Sequence, residues 1–93
     1  MANDILVEAI DQRHFRVRVN DGRGESIHAV TVHPGDAARL AGKSTSAESL
    51  VRASFEFLLE REPKESILPQ FNLAVIGRYF PEYEKEIRKR LAG

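Results

Sequence analysis

The chain contains no cysteine and no tryptophan, a single methionine, and no net charge at neutral pH. Without cysteine there are no disulfides and no thiolate metal sites, so a zinc ribbon or a stapled miniprotein is excluded. Without net charge there is no global field to steer the chain towards nucleic acid or membrane. The balance is not two opposed halves: residues 1–46 carry six Lys/Arg and six Asp/Glu, and residues 47–93 carry eight of each. Long apolar runs are also missing. No stretch approaches the roughly 20 residues that span a bilayer, and the N-terminus lacks the basic leader and apolar core of a signal peptide. The expected location is cytoplasmic.

What is present suffices for a folded unit. At 93 residues the chain is one domain by size, 1–93. A domain of this length buries roughly 60–65% of its unfolded surface, enough for one core without staples.

The strongest pattern is Ser46–Glu62, SAESLVRASFEFLLERE. Ser46 is a good N-cap, and Glu48 suits the positive end of the helix dipole. On a helical wheel Ser49, Arg52, Glu56 and Glu60 share a narrow polar sector. Leu50, Val51, Ala53, Phe55, Phe57, Leu58 and Leu59 cover more than half the circumference. An ordinary surface helix has a narrower stripe, so two flanks of this helix need partners. Phe55 and Phe57 lie on opposite flanks. If either lacks an internal partner, it marks an interface with a second copy or another protein. Pro63 stops the helix.

Before it lies a sheet. DILVEAI (Asp4–Ile10) is a short apolar run, and RHFRVRVN (Arg13–Asn20) alternates with period two, Phe15, Val17 and Val19 against Arg16 and Arg18. Asp21-Gly22 signals a hairpin turn, and ESIHAVTV (Glu25–Val32) returns. A two-residue turn pairs Arg18 with Glu25 and Phe15 with His28, placing His28, Val30 and Val32 on the inner face; a longer GRG loop slips the register by one and turns Ile27 and Ala29 inward instead. PGDAARLAG forms a short helix anchored by Leu40 and stopped at Gly42. After Pro63, ESILPQF reads as irregular or a single turn. Asn72 caps LAVIGRYF, Pro81 breaks that helix, and PEYEKEIRKRLA follows. The expected fold is α+β: a small antiparallel sheet of about three strands, packed on one face by the central helix and C-terminal helices.

Few residues point to chemistry. Gly42-Lys43-Ser44 matches the end of a P-loop, but the glycine required five residues earlier is Ala37. His14, His28 and His33 do not converge as metal ligands. The Glu60/Glu62/Glu65 and Glu82/Glu84/Glu86 clusters lack a nucleophile–base pairing. Acids then bases along the last helix match its dipole. The chain therefore reads as non-catalytic, with no cofactor and no metal. Its strongest functional hint is basic: Arg13, Arg16, Arg18 and Arg23 fall within eleven residues, and a two-stranded ribbon can contact phosphates.

At SFEFLLEREP (Ser54–Pro63), SIL (Ser66–Leu68) and YFPEYEKEI (Tyr79–Ile87) the chain resembles a group of short, uncharacterised bacterial proteins. That resemblance implies a compact bacterial domain and brings no activity. An arginine-bearing strand ahead of a main helix is also similar to ribbon-helix-helix regulators, but the extra strands, the intervening helix and the long C-terminal half depart from them. The leading expectation is a protein-interaction or scaffold module whose partner is a second copy or another protein; the alternative is a nucleic-acid-binding regulator using the four arginines.

Overall fold

The computed structural model describes residues 3–42 and 45–92. It is an α+β fold with a mixed sheet of four strands, β1 (Asp4–Ala9), β2 (His14–Asn20), β3 (Glu25–Thr31) and β4 (Gln70–Asn72), in that spatial order. The first three strands form an antiparallel meander, and β4 adds parallel to β3. Helices α1 (Pro34–Ala41), α2 (Ala47–Leu59), α3 (Ile76–Tyr79) and α4 (Tyr83–Ala92) complete the chain, with α2 packed on β1 and on α4.

The alternation in β2 does what its period predicts. Phe15, Val17 and Val19 are buried, and Arg16 and Arg18 face solvent. The hairpin register differs from expectation by two residues: Asn20 pairs with Glu25, Arg18 with Ile27 and Val17 with His28. The cause is the Asp21 carboxylate, which accepts from the backbone N–H of Arg23 at 2.9 Å and Gly24 at 3.2 Å. It holds a four-residue turn in which Gly22 takes a φ of 89°, open to glycine at no steric cost. A shift of two preserves the face of every side chain, so His28, Val30 and Val32 are still buried.

The fourth strand falls in the segment expected to be irregular. Two contacts hold it. Ala29 N–H donates to the Pro69 carbonyl at 2.8 Å. The buried His28 ring donates from Nδ1 to the Leu68 carbonyl at 2.8 Å, while its Nε2 lies 2.8 Å from Ser26 Oγ. A carbonyl only accepts, so Nδ1 carries a proton, and in the neutral ring Nε2 accepts from Ser26. Lys64, only 6% exposed, pairs with Asp21 at 3.2 Å and with Glu65, tying the hairpin turn to the approach to β4. Both carboxylates hold its ammonium protonated, Glu65 more strongly than Asp21.

Helix α2 starts as its sequence predicts, with Ser46 Oγ accepting from Ser49 N–H at 3.1 Å. It ends at Leu59, and a turn leads into Pro63. Asn72 occupies the N-cap backbone position of the next turn, but its side chain makes no cap bond. Both flanks of α2 are covered inside the chain. Phe55 and Phe57 are each 0% exposed. Phe55 meets His28 and Phe71, with ring centroids at 5.4 and 6.0 Å. Phe57 meets Phe80 and Tyr83 edge-on, at 5.8 and 5.3 Å. The interface assigned to Phe55 and Phe57 is therefore corrected: each has its internal partner, and neither offers a surface.

A buried hydroxyl pair fastens α4 to α2. Ser54 Oγ lies 2.7 Å from the Leu50 carbonyl and 2.7 Å from the Tyr83 hydroxyl. Ser54 has one proton, which the carbonyl takes, so Tyr83 donates to Ser54. Burial pushes the Tyr83 phenol up to about 12 from 10.0, against smaller opposing effects from Ser54 and Arg39.

Two outcomes are expected. Phe55→Ala removes a fully buried ring at the sheet–helix junction and should cost about 3–5 kcal/mol, read as a lower urea midpoint. For Tyr83, the folded chain holds the phenolic proton more tightly than the unfolded chain. Its contribution is complete below pH 10 and is lost as pH rises towards 12. Wild type should therefore lose on the order of 3 kcal/mol across that window, and Tyr83→Phe should lack this component. Denaturant titrations of both proteins at stepped pH, followed by circular dichroism, check the difference.

Candidate interaction site around helix α3

The four-residue helix α3 forms a ridge with a groove on each side. Pro81 sets its end, because the residue before proline avoids the helical region; Phe80 accordingly turns to φ −128°, ψ 92°. Ile76 points inward and is buried, while Tyr79 is 69% exposed.

On one side lies an apolar groove of 430 Å³. Leu58 of α2, Ile67, Leu68, Phe71 of β4, Ile76 and Phe80 line it, with Glu62 and Ser66 supplying polar atoms. Leu68, 46% exposed, and Tyr79 are large apolar side chains open to solvent there. The volume falls within the usual range for a ligand cleft, and the lining is mostly hydrophobic with few polar groups.

The opposite groove is basic. It measures 620 Å³ and is lined by Ala74, Gly77, Arg78, Pro81, Glu84, Lys85 and Arg88. Its one carboxylate is already engaged: Glu84 contacts Arg39 and lies 3.9 Å from Arg88. Arg39 is held more firmly protonated, first by Asp36 and then by Glu84. Among the described residues, Arg78 and Lys85 form no ion pair. Ala74, Gly77 and Pro81 are small or compact side chains, which leaves these cations standing at the walls.

The other acidic side chains of the two glutamate clusters are largely occupied. Glu60 binds Arg90 at 2.5 Å, Glu82 binds Arg61 at 3.1 Å, and Glu65 contacts Lys64. The carboxyls of Glu60, Glu65 and Glu82 all sit below the usual range. Arg90 is the largest cause at Glu60 and Lys64 at Glu65; at Glu82 its own backbone N–H leads, followed by Arg61. Arg61 also stacks over Phe57 at 3.6 Å, closing the end of α2. These ion pairs join the end of α2 to α4 and to the turn before it.

The strand arginines do not form one patch. Arg16 and Arg18 lie on the open sheet face, Arg13 in the turn before β2 and Arg23 in the turn after it. Arg16 is paired with Glu8 at 3.1 Å. Arg18 stands in a row between Leu6 and Ile27, each more than half exposed. Asp4 and Glu25 are exposed at the end of the same sheet, in register with Asn20. The arginines thus share their surface with acids and aliphatic side chains.

His14 is exposed and bonded to Asp11 at 2.8 Å, His28 is buried, and His33 is exposed beyond β3. Among the described residues no three His, Asp or Glu side chains gather as a metal site. Lys43 and Ser44 of the P-loop-like fragment lie outside the described residues. Among the described residues no helix is long and apolar enough to cross a membrane. The grooves beside α3 escaped sequence reasoning because their walls come from five separate segments. The available signal was Tyr79, an aromatic that falls outside the face which Leu73, Ile76 and Phe80 share at helical spacing.

Comparison with known protein families, with curated proteins and with solved structures finds no match.

Proposed function

We propose that the chain is a non-catalytic protein-interaction module and that it receives its partner in the apolar groove beside α3. The observation that carries this reading is the exposure of Leu68 and Tyr79 at a groove otherwise lined by Leu58, Ile67, Phe71, Ile76 and Phe80. Scattered exposed apolar residues are ordinary; a concave group of them is characteristic of recognition sites. A partner side chain entering it would be desolvated on several sides, the environment in which interface anchors contribute most.

Homodimerisation is a special case of the same reading, with the groove rather than Phe55 and Phe57 as the contact. Nucleic-acid binding through Arg13, Arg16, Arg18 and Arg23 has less support, because those residues are dispersed and share their surface with Asp4, Glu8 and Glu25.

Benzoylphenylalanine at position 79 should photo-crosslink in living cells to a discrete protein species, and Leu68→Glu should abolish the adduct. The same label at exposed Gln12 should give none. Repeating the irradiation on purified protein separates a second copy of the chain from a different partner. Equal adduct patterns at positions 12 and 79, or none at either, would refute the groove as the interaction site.

A further inference from the structure

Taking the groove reading as given, we infer that the partner segment is acidic as well as apolar, its carboxylates lying in the basic groove on the other side of α3. The argument is one of charge complementarity across a narrow ridge. Helix α3 separates the two grooves: Val75, Ile76, Tyr79 and Phe80 face the apolar one, and Ala74, Gly77 and Arg78 the basic one. A segment that buries a side chain beside Tyr79 and crosses α3 passes over Arg78. A helix with its side chains is roughly 10 Å across. About three residues of extended chain cover that distance. One short segment therefore reaches both grooves.

The basic groove is suited to carboxylates. Arg78, Lys85 and Arg88 all line it, and the one acid among them, Glu84, is shared between Arg39 and Arg88. Arg78 and Lys85 remain available, both exposed on the same surface. Opposite charge here raises the association rate and rejects basic segments. Glu62, in the apolar groove, is the one feature that favours a cation there; it lies on the far side of α3 from Arg78.

Single-stranded nucleic acid is the competing class, since Tyr79 could stack a base beside the basic groove. The aliphatic lining of Leu58, Ile67, Leu68 and Ile76 favours side chains over bases. The neutral whole-chain charge also provides none of the broad field on which polyanion binding relies.

The test is selection of a random 12-residue peptide library on the immobilised full chain, followed by fluorescence anisotropy with the enriched peptides. Three variants are compared. Arg78→Glu with Lys85→Glu reverses two exposed cations that form no ion pair among the described residues. Gly77→Asp introduces a carboxylate at the floor, where an added Cβ meets only Tyr83 Cδ2 at an ordinary 3.9 Å. Leu68→Ser with Tyr79→Ala removes the apolar edge. Circular dichroism confirms that each is folded.

Enriched peptides should combine Asp or Glu with Leu, Ile or Phe about three residues apart. Their affinity should fall roughly tenfold or more in both charge variants and weaken with added salt. Neutral or basic enriched peptides, or acidic ones indifferent to both charge variants, would overturn the inference. If those peptides still fail on Leu68→Ser with Tyr79→Ala, the groove reading survives alone. Peptides indifferent to all three variants, or no enrichment, would overturn both. Binding of an oligothymidylate probe that the charge variants abolish, with no peptide selected, would assign the surface to nucleic acid instead.

Discussion

The two-sided burial of α2 is the constraint on which the rest depends. Phe55 and Phe57 are two positions apart, which on a helix points them about 200° apart. One needs the sheet and the other needs the C-terminal helices. Neither layer alone buries the helix. The sheet therefore has to extend far enough for Phe71 to reach Phe55, and α4 has to turn back so that Tyr83 reaches Phe57. The Ser54–Tyr83 hydrogen bond then adds direction to what hydrophobic contact leaves loose. Hydrophobic burial is non-directional; a paired hydroxyl inside it selects one rotation of α4.

This division explains which parts could be read from the chain alone. Local periodicity was enough for α2 and for the alternation of β2, while the inward position of His28 depended on the length of the turn. The first two properties depend on residue spacing, and spacing survives a two-residue register shift. The turn itself was misjudged because Asp21 uses its carboxylate to bond Arg23 and Gly24 rather than yielding a two-residue loop. Strand β4 was invisible for a different reason. Three residues are too few to show alternation, and its pairing with β3 crosses some forty positions of sequence. The contacts that create it, His28 with Leu68 and Lys64 with Asp21, are tertiary.

Charge followed the same logic. Arg13, Arg16, Arg18 and Arg23 are close in sequence and dispersed in space, because a strand of seven residues extends about 20 Å and its two turns face opposite ends. Arg78, Lys85 and Arg88 are farther apart in sequence and share one groove. The difference lies in the partners. Glu8 reaches Arg16 across a strand pair, and the remaining sheet-face acids dilute the basic character. In the helical layer the acids are drawn into structure instead: Glu60 to Arg90, Glu82 to Arg61 and Glu84 to Arg39. Local charge density in the sequence overstates the first group and understates the second.

Helix α3 ends where the chain packs against Phe57. Phe80 leaves the helix and lies edge-on against Phe57, and the proline that follows it disfavours a helical conformation there. Ending α3 after Tyr79 fixes Tyr79 in solvent and leaves the gap between Phe80 and Leu68 unfilled. The apolar groove is thus a geometric consequence of closing the core around α2. On the opposite side the turn between α3 and α4 brings Lys85 and Arg88 round towards Arg78. One chain reversal places an apolar surface and a basic surface back to back across a single helical turn.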